Sequence, residues 1–583
     1  MISISDETNT EKIERKSKKN VLLGTIFGYL AVLVSIVYGL FLTPEIINFV
    51  GKAEYGLYGL SSSVVNLFLM DFGLSAATHS FLARLRADGN KEGVERYVAG
   101  IFKIYLFLDI FFVLIIAALY FSAPYVFARS YGNPITFERT ESIKTLQWLF
   151  IIIGCFTIIN LPCYVFNGTI STYEKFSMLK LADVIQKGLY LLFSVLSVLL
   201  HWKINGSGII PIVVVNVASA LLSILIKALY SRFYLNLKFD LRKNITRAER
   251  KEVLSFSGWG LIVGICSRLV ITITPFILGV VSNSDAVALF TLVSTIELYI
   301  YTFGTMISTF FMAKIARTIH DGTEEERAKK LQAFGEKIGK IQFVIIALIM
   351  GGFVSCGQEF TMMWLKDRSF LILYWCIIAI SSYELVHIPQ LIFREAMVAK
   401  GNIKPLAIAS IIKALVNLGL SFGLSHLFTT NGTFSNLWFG SGAVGASLAI
   451  AFARIVEQIM FNFMFKKYLH ADLGHFFKAI YIRGLIALAI SAGIGLGIHF
   501  AFEIFRVFDV IGVSVKFLII GFTFVFVFTL CTLFVIFNKE ERAYYIDVFL
   551  RIIHIRGRKK KDAPAQAEQA PQAETSNGNE EEE

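Results

Sequence analysis

A few ionisable side chains sit inside the long apolar runs of this sequence, and each is expensive enough to need a reason. A charge at the centre of a bilayer costs about 2.5–3.5 kcal/mol on insertion scales, so it marks a partner, a wet space or a ligand. Arg268 stands in the middle of one run, and Gly264, Arg268, Thr272 and Pro275 share a helical face by their spacing. A small, polar stripe around a guanidinium suits the wall of a hydrated cavity, and the planar fork can grip a diphosphate through paired hydrogen bonds. The structural alternative pairs Arg268 with an acid on a neighbouring helix. Glu297, on a face with Ser294, Tyr301 and Gly304, is the candidate partner. Lys413 heads a second stripe with Ser410, Asn417 and Ser421, and would meet a phosphate or sugar hydroxyls as a point charge. Arg268, Thr272, Lys413 and Asn417 are therefore the candidate ligand contacts.

Carboxylates supply the second chemistry. Glu384 and His387 are three residues apart, hence neighbours on one helical face, and such a pair can take up and release a coupling proton. Alternatively the two satisfy one another beside a kink at Pro389. Asp71 lies deep in a run and needs a partner or water. These three are the candidate ion-coupling residues. Asp183 with Lys187, and Arg454 with Glu457, have the spacing of self-neutralised pairs within one helix.

The elements that must position these groups are membrane helices. Apolar residues make up 55% of the 583 and charged residues only 17%, against about 25% charged in soluble domains. Runs of about 20 apolar residues, the length that crosses a hydrocarbon core, recur along nearly the whole chain. No alternating pattern suggests a barrel, so the fold class is all-α and polytopic, with about fourteen transmembrane helices. They are expected near 21–43, 55–82, 98–122, 145–169, 178–200, 207–230, 255–281, 286–312, 340–364, 370–393, 404–425, 440–465, 480–502 and 513–537. Lys and Arg crowd alternate loops, among them Arg84 to Arg96, Arg232 to Lys251 and Lys314 to Lys340. The other loops hold few, which predicts both termini cytoplasmic. The net charge of +12 thus reflects loop bias, and nucleic acid is not an expected partner. Six scattered cysteines, with no CxxC, indicate neither disulfide framework nor zinc site. No P-loop, dinucleotide fingerprint or hydrolase elbow stands in a suitable context, so no cofactor and no enzymatic activity is expected.

An ungapped shift of 231 residues aligns the first two helices with the seventh and eighth. Thr43-Pro44 then meets Thr274-Pro275, Glu54 meets Asp285, Phe72-Gly73 meets Phe303-Gly304, and Arg86 meets Arg317. Both copies start on the same side, which predicts two parallel six-helix repeats plus two extra C-terminal helices. The expected divisions are a cytoplasmic segment 1–19, bundles 20–253 and 254–470, helices thirteen and fourteen in 471–540, and a basic then acidic disordered tail 541–583. Two such bundles facing each other would enclose a midplane cavity, expected to be wet and basic.

The first helix ends LFLTPEIINFVGKAEYGLYGL (Leu40 to Leu60) and the second ends MDFGLSAATHSFLARLR (Met70 to Arg86). On these residues the chain resembles the polysaccharide transporter family, bacterial flippases within the superfamily that also holds multidrug and toxic-compound extrusion transporters. The resemblance covers residues 20–540 and implies movement of an undecaprenyl-diphosphate-linked oligosaccharide to the outer leaflet of the inner membrane by alternating access. It also implies possible contact with polysaccharide assembly proteins. Within the motif, Pro44 and Gly56 are expected to set a short turn, and Gly73 to allow close backbone approach. Two alternatives stay open: a cation-coupled drug exporter of the same superfamily, and a membrane polymerase or glycosyltransferase. Short outer segments argue against the enzyme, and basic residues near midplane argue against the drug exporter.

Overall fold

The computed structural model describes residues 20–543 except 21–22, 25, 69–81, 83–84, 87–88, 128–136, 238–241, 243–245, 247–257, 306–322, 430–439 and 505–511. Asp71, Gly73, the N-terminal segment and the tail from residue 544 lie outside the described residues. Along the chain run α1 (Ile26–Val50), α2 (Lys52–Phe68), α3 (Lys91–Val126), α4 (Phe137–Thr172), α5 (Phe176–Leu199), α6 (Ile209–Tyr234) and α7 (Gly258–Val281). They continue as α8 (Ser284–Thr305), α9 (Glu324–Leu365), α10 (Arg368–Ala399), α11 (Ile403–Leu427), α12 (Gly442–Leu469), α13 (Leu473–Ile504) and α14 (Val513–Ile536). Thirteen of these are long and apolar enough to cross a membrane. The remaining one, α2, is described for 17 residues, because the rest of the expected span falls on undescribed positions. Among the described residues there is no strand, only one isolated bridge between Ile204 and Ser207. The chain is an all-helical, multi-pass membrane protein.

Several helices run past their expected ends. α9 starts at Glu324, well before the apolar run, because Thr323 and Glu326 form a capping box that satisfies the first backbone donors. Breaks matter more for the site. In α1 a π turn over Tyr38–Leu42 precedes Pro44, which has no N–H to extend the regular ladder. α10 is interrupted between Ser381 and Glu384 and passes through a tight turn over Ile388–Gln390 that holds Pro389. That break lets Tyr383, Glu384 and His387 leave the regular face of the helix.

The turn between α1 and α2 falls at Gly51, whose φ of 86° favours glycine. Gly56, expected in that turn, lies instead inside α2, where a Cβ would stand 2.0 Å from the Ser284 carbonyl oxygen of α8. Its missing side chain lets two backbones touch. Gly59 likewise meets Thr291 of α8, and Gly279 of α7 meets Leu60. Tyr299 Oη donates to the Ser35 carbonyl at 2.7 Å, and Trp364 Nε1 donates to that of Leu40 at 2.9 Å. Residues before position 70 thus close against residues after 278 in a layer where α1 and α7 end and α2 and α8 begin. Much of the buried apolar core, including Leu60, Leu278, Phe290 and Val293, lies in this layer.

α13 and α14 pack on α9. Gly484 faces Phe343, Gly351 faces Leu488 and Phe524, and Gly495 faces Ser355. Of the three glycines Gly493, Gly495 and Gly497 only Gly495 serves close packing, since the other two have open space beside them. The matched order along both helices makes α9 and α13 parallel.

Candidate functional site

Four helices bring a charged network together. α12 contributes Arg454 and Glu457, α11 Lys413, α8 Glu297, and the broken α10 Glu384 and His387. Arg454 lies 2.8 Å from Glu297 and 3.2 Å from Glu384, and its Nη1 also donates to the Ile380 carbonyl at 3.3 Å. Lys413 meets Glu457 at 2.8 Å, and Ser410 donates to the same carboxylate at 2.9 Å. All five charged groups are at most 8% exposed. They line a cavity of about 260 Å³, which Ser267, Val270 and Ile271 of α7 close on one side.

The neutral part of the network is equally connected. Tyr383 Oη lies 2.8 Å from His387 Nδ1, which is 3.1 Å from Gln458 Oε1. Gln458 Nε2 in turn donates to Gln390 at 2.8 Å. The Arg454 guanidinium sits 5.7 Å over the Tyr383 ring.

These partnerships differ from those the spacing suggested. Glu297 pairs with Arg454 and not with Arg268. Glu384 and His387 do not satisfy each other: the acid turns to Arg454 and the imidazole to Tyr383 and Gln458. Glu457 pairs across helices with Lys413. Asp183 pairs with Lys227 at 2.9 Å and Lys180 at 3.5 Å, while Lys187 donates to the Ala31 carbonyl. Helical spacing brings residues to one face, but a neighbouring helix offering a better angle takes the contact.

Of the expected ligand contacts, only Lys413 lines this cavity. Asn417 is fully buried and donates to the Val270 carbonyl of α7 at 3.2 Å, while Ser421 donates to it. Thr272 is half-buried. Arg268 and Gly264 are exposed on the far side of α7, and a Cβ at Gly264 would meet nothing within 4 Å. The cavity is not basic. Lys413 and Arg454 stand against Glu297, Glu384 and Glu457, while Arg394 at its edge has Glu395 3.6 Å away. One carboxylate is left over, and Glu384 Oε2 is buried without a hydrogen-bond partner. Among the described residues no cluster of His, Cys, Asp and Glu has the arrangement of a metal site.

Single-residue reading missed a tyrosine cluster in the closed layer. Tyr38 and Tyr190 stack with centroids 4.6 Å apart and hydroxyls 2.5 Å apart, and Tyr55, Tyr58 and Tyr299 adjoin them. No local spacing signals it, because Tyr38, Tyr190 and Tyr299 lie inside three different helices that only the fold brings together.

A family model described as "Polysaccharide biosynthesis protein" matches residues 17–313. None of the curated proteins matches the chain in sequence. Among solved structures, the fold is similar to the lipid II flippase MurJ in an inward closed conformation, with TM-score 0.63 and 14% identity over 92% of this chain and 99% of that one. It is also similar to an inward-facing multidrug resistance MATE family transporter of the MOP superfamily, with TM-score 0.57 and 18% identity over 76% and 98%. An outward-facing structure of a MATE family transporter gives TM-score 0.50 and 17% identity over 78% and 96%. At these identities the likeness carries the fold alone: an all-helical, multi-pass scaffold.

Proposed function

The chain belongs to the polysaccharide biosynthesis protein family, and from that premise we propose that it moves a lipid-linked oligosaccharide between membrane leaflets by alternating access. The substrate is an oligosaccharide joined through a diphosphate to undecaprenol, carried from the cytoplasmic to the outer leaflet of the inner membrane. Residues 20–253 and 254–470 act as the two moving bundles, both termini are cytoplasmic, and the bilayer itself is the second partner.

One observation carries this reading. Arg268 is exposed on α7 about 16 Å along the helix from Gly279, where the closed layer begins. A guanidinium exposed at that depth, with no ion-pair partner among the described residues, fits water between the bundles better than acyl chains, and its fork suits a diphosphate. Gly264 leaves room beside it, and Thr272 adds a hydroxyl one turn away. The tyrosine cluster beyond would meet sugar rings once the layer opens, aromatic faces and hydroxyls together. Lys413 reaches the substrate only by exchanging Glu457, and Asn417 holds α11 to α7 while it does so.

Ser267 faces the charged cavity and Arg268 the open side, so α7 is a shared wall. The leftover carboxylate then gives the cavity a coupling role: a proton or small cation at Glu384, beside His387, balances the charge and changes how Arg454 is held between α8 and α10. The same excess of acid favours a second reading, an exporter of organic cations.

The test uses purified protein in liposomes carrying undecaprenyl-diphosphate oligosaccharide in one leaflet, with a membrane-impermeant glycosidase reporting on the other. Transfer should require the protein and fall at least tenfold in Arg268→Ala, with Arg268→Lys between. Transfer unchanged in Arg268→Ala sinks the diphosphate contact. Uptake of organic cations by the same vesicles, with no lipid transfer, replaces the flippase by the exporter.

A further inference from the structure

A second titratable cluster lies outside that four-helix network, where α13 packs on α9. His499 Nδ1 is hydrogen-bonded to Glu359 Oε1, and its Nε2 lies 3.8 Å from Glu503 on the next turn of α13. His499 is 8% exposed and Glu359 7%, whereas the Glu503 side chain is 63% exposed. The second oxygen of Glu359 is buried and has no partner. A kink places it: Cys356, one turn earlier, departs from helical geometry with φ −133° and turns the end of α9 toward α13.

We propose that Glu359 and His499 form a proton-binding site loaded from the aqueous surface through Glu503. The chain of groups runs from open carboxylate to imidazole to closed carboxylate, the order a relay needs. A proton from water protonates Glu503, which passes it to His499 Nε2. The imidazole releases the proton on Nδ1 to Glu359, so one proton enters and no other bond changes. With the proton on His499 the two buried groups form an ion pair, and with it on Glu359 a neutral hydrogen-bonded pair; either state fixes α13 to α9.

The facing groups allow this. From α14, Lys516 approaches His499, and it is the one cation among the described neighbours. From α9, Cys356 is engaged with the Gly352 carbonyl at 3.1 Å, and from α10, Tyr374 donates to the Val354 carbonyl at 2.8 Å. Neither competes for the imidazole. The contact lies toward the Leu365 and Ile504 ends of the two helices, one turn beyond the Gly495–Ser355 approach, so a change here acts on how α13 and α14 seat against α9. The site is independent of the substrate assignment, since its filling is measurable without transport.

The test is imidazole nitrogen resonance spectroscopy of the full chain in liposomes, labelled at its nine histidines. The resonance lost in His499→Gln should titrate, and its midpoint should move by about one pH unit or more in Glu359→Gln. Proton exchange at that resonance should slow severalfold in Glu503→Gln, with a smaller movement of the midpoint. A resonance that does not titrate, or a midpoint unmoved by Glu359→Gln, overturns the site. Should Glu359→Gln not fold, the exposed Glu503→Gln still decides: wild-type exchange in it refutes loading from the surface.

Discussion

Replacing Glu457 by Gln tests whether the α11–α12 pair is a coupled unit. The ammonium of Lys413 lies 2.8 Å from the carboxylate, and the side chains are 9% and 5% exposed. At an effective dielectric near 20, charges at that distance attract by about 6 kcal/mol, and desolvation removes much of it. Removing one partner leaves the other buried and unpaired, at a cost of about 3–5 kcal/mol. The double substitution Lys413→Met with Glu457→Gln removes both charges, keeps much of the volume, and leaves Ser410 an amide to bond. Its stability should lie within about 1 kcal/mol of the starting protein, because apolar replacements of buried pairs are often neutral. Unfolding by denaturant in mixed micelles, on all four members of the cycle, reads these values. Additive costs within about 0.5 kcal/mol refute the coupling, since groups that do not interact add. The stable double variant then isolates function: with its fold intact, any loss of lipid transfer belongs to the charges.

Gly56→Val should destabilise the closed layer, since its Cβ would stand 2.0 Å from the Ser284 carbonyl and backbone cannot step aside. Overpacking of this kind costs about 1–3 kcal/mol, and the labelling rate of a cysteine introduced into α8, which has none of its own, should rise with it. Glu384→Gln should leave transfer measurable but remove its dependence on a pH gradient across the vesicle membrane, and a retained dependence excludes Glu384 as the coupling group. Thr323→Ala breaks the capping box of α9 and should lower stability by about 1 kcal/mol without changing transfer, checked by thermal unfolding beside the vesicle assay.

The helices were legible because lipid leaves the backbone no alternative: apolar runs of sufficient length must close their own hydrogen bonds. Even the long N-terminal extension of α9 was encoded, in Thr323 and Glu326, although hydropathy alone could not find it. Charged residues were legible as positions but not as partners. Arg454 and Glu457, three apart on α12, read as one pair, yet each is taken by a different neighbour, because Glu297, Glu384 and Lys413 project toward them from three other helices. Which helices become neighbours is a property of the whole bundle. Gly56 shows the same limit: its position near a turn suggested conformational freedom, whereas the fold uses its lack of a side chain against α8.

The expected basic pocket and the observed one, with its surplus carboxylate, describe different sides of α7. Asn417 fixes α11 to the Val270 carbonyl, so the Lys413–Glu457 pair is held on the inner side, while Arg268 is left on the outer. A helix in that position cannot shift without altering both faces. If Arg454 relaxes from Glu384 when that acid is neutralised, α10 and α8 lose a shared clamp, and α8 is the helix on which α2 closes through Gly56 and Gly59. On the proposed mechanism, protonation at Glu384 would thereby reach the closed layer. The coupling needs no ligand common to both sites, only two carboxylates competing for one guanidinium.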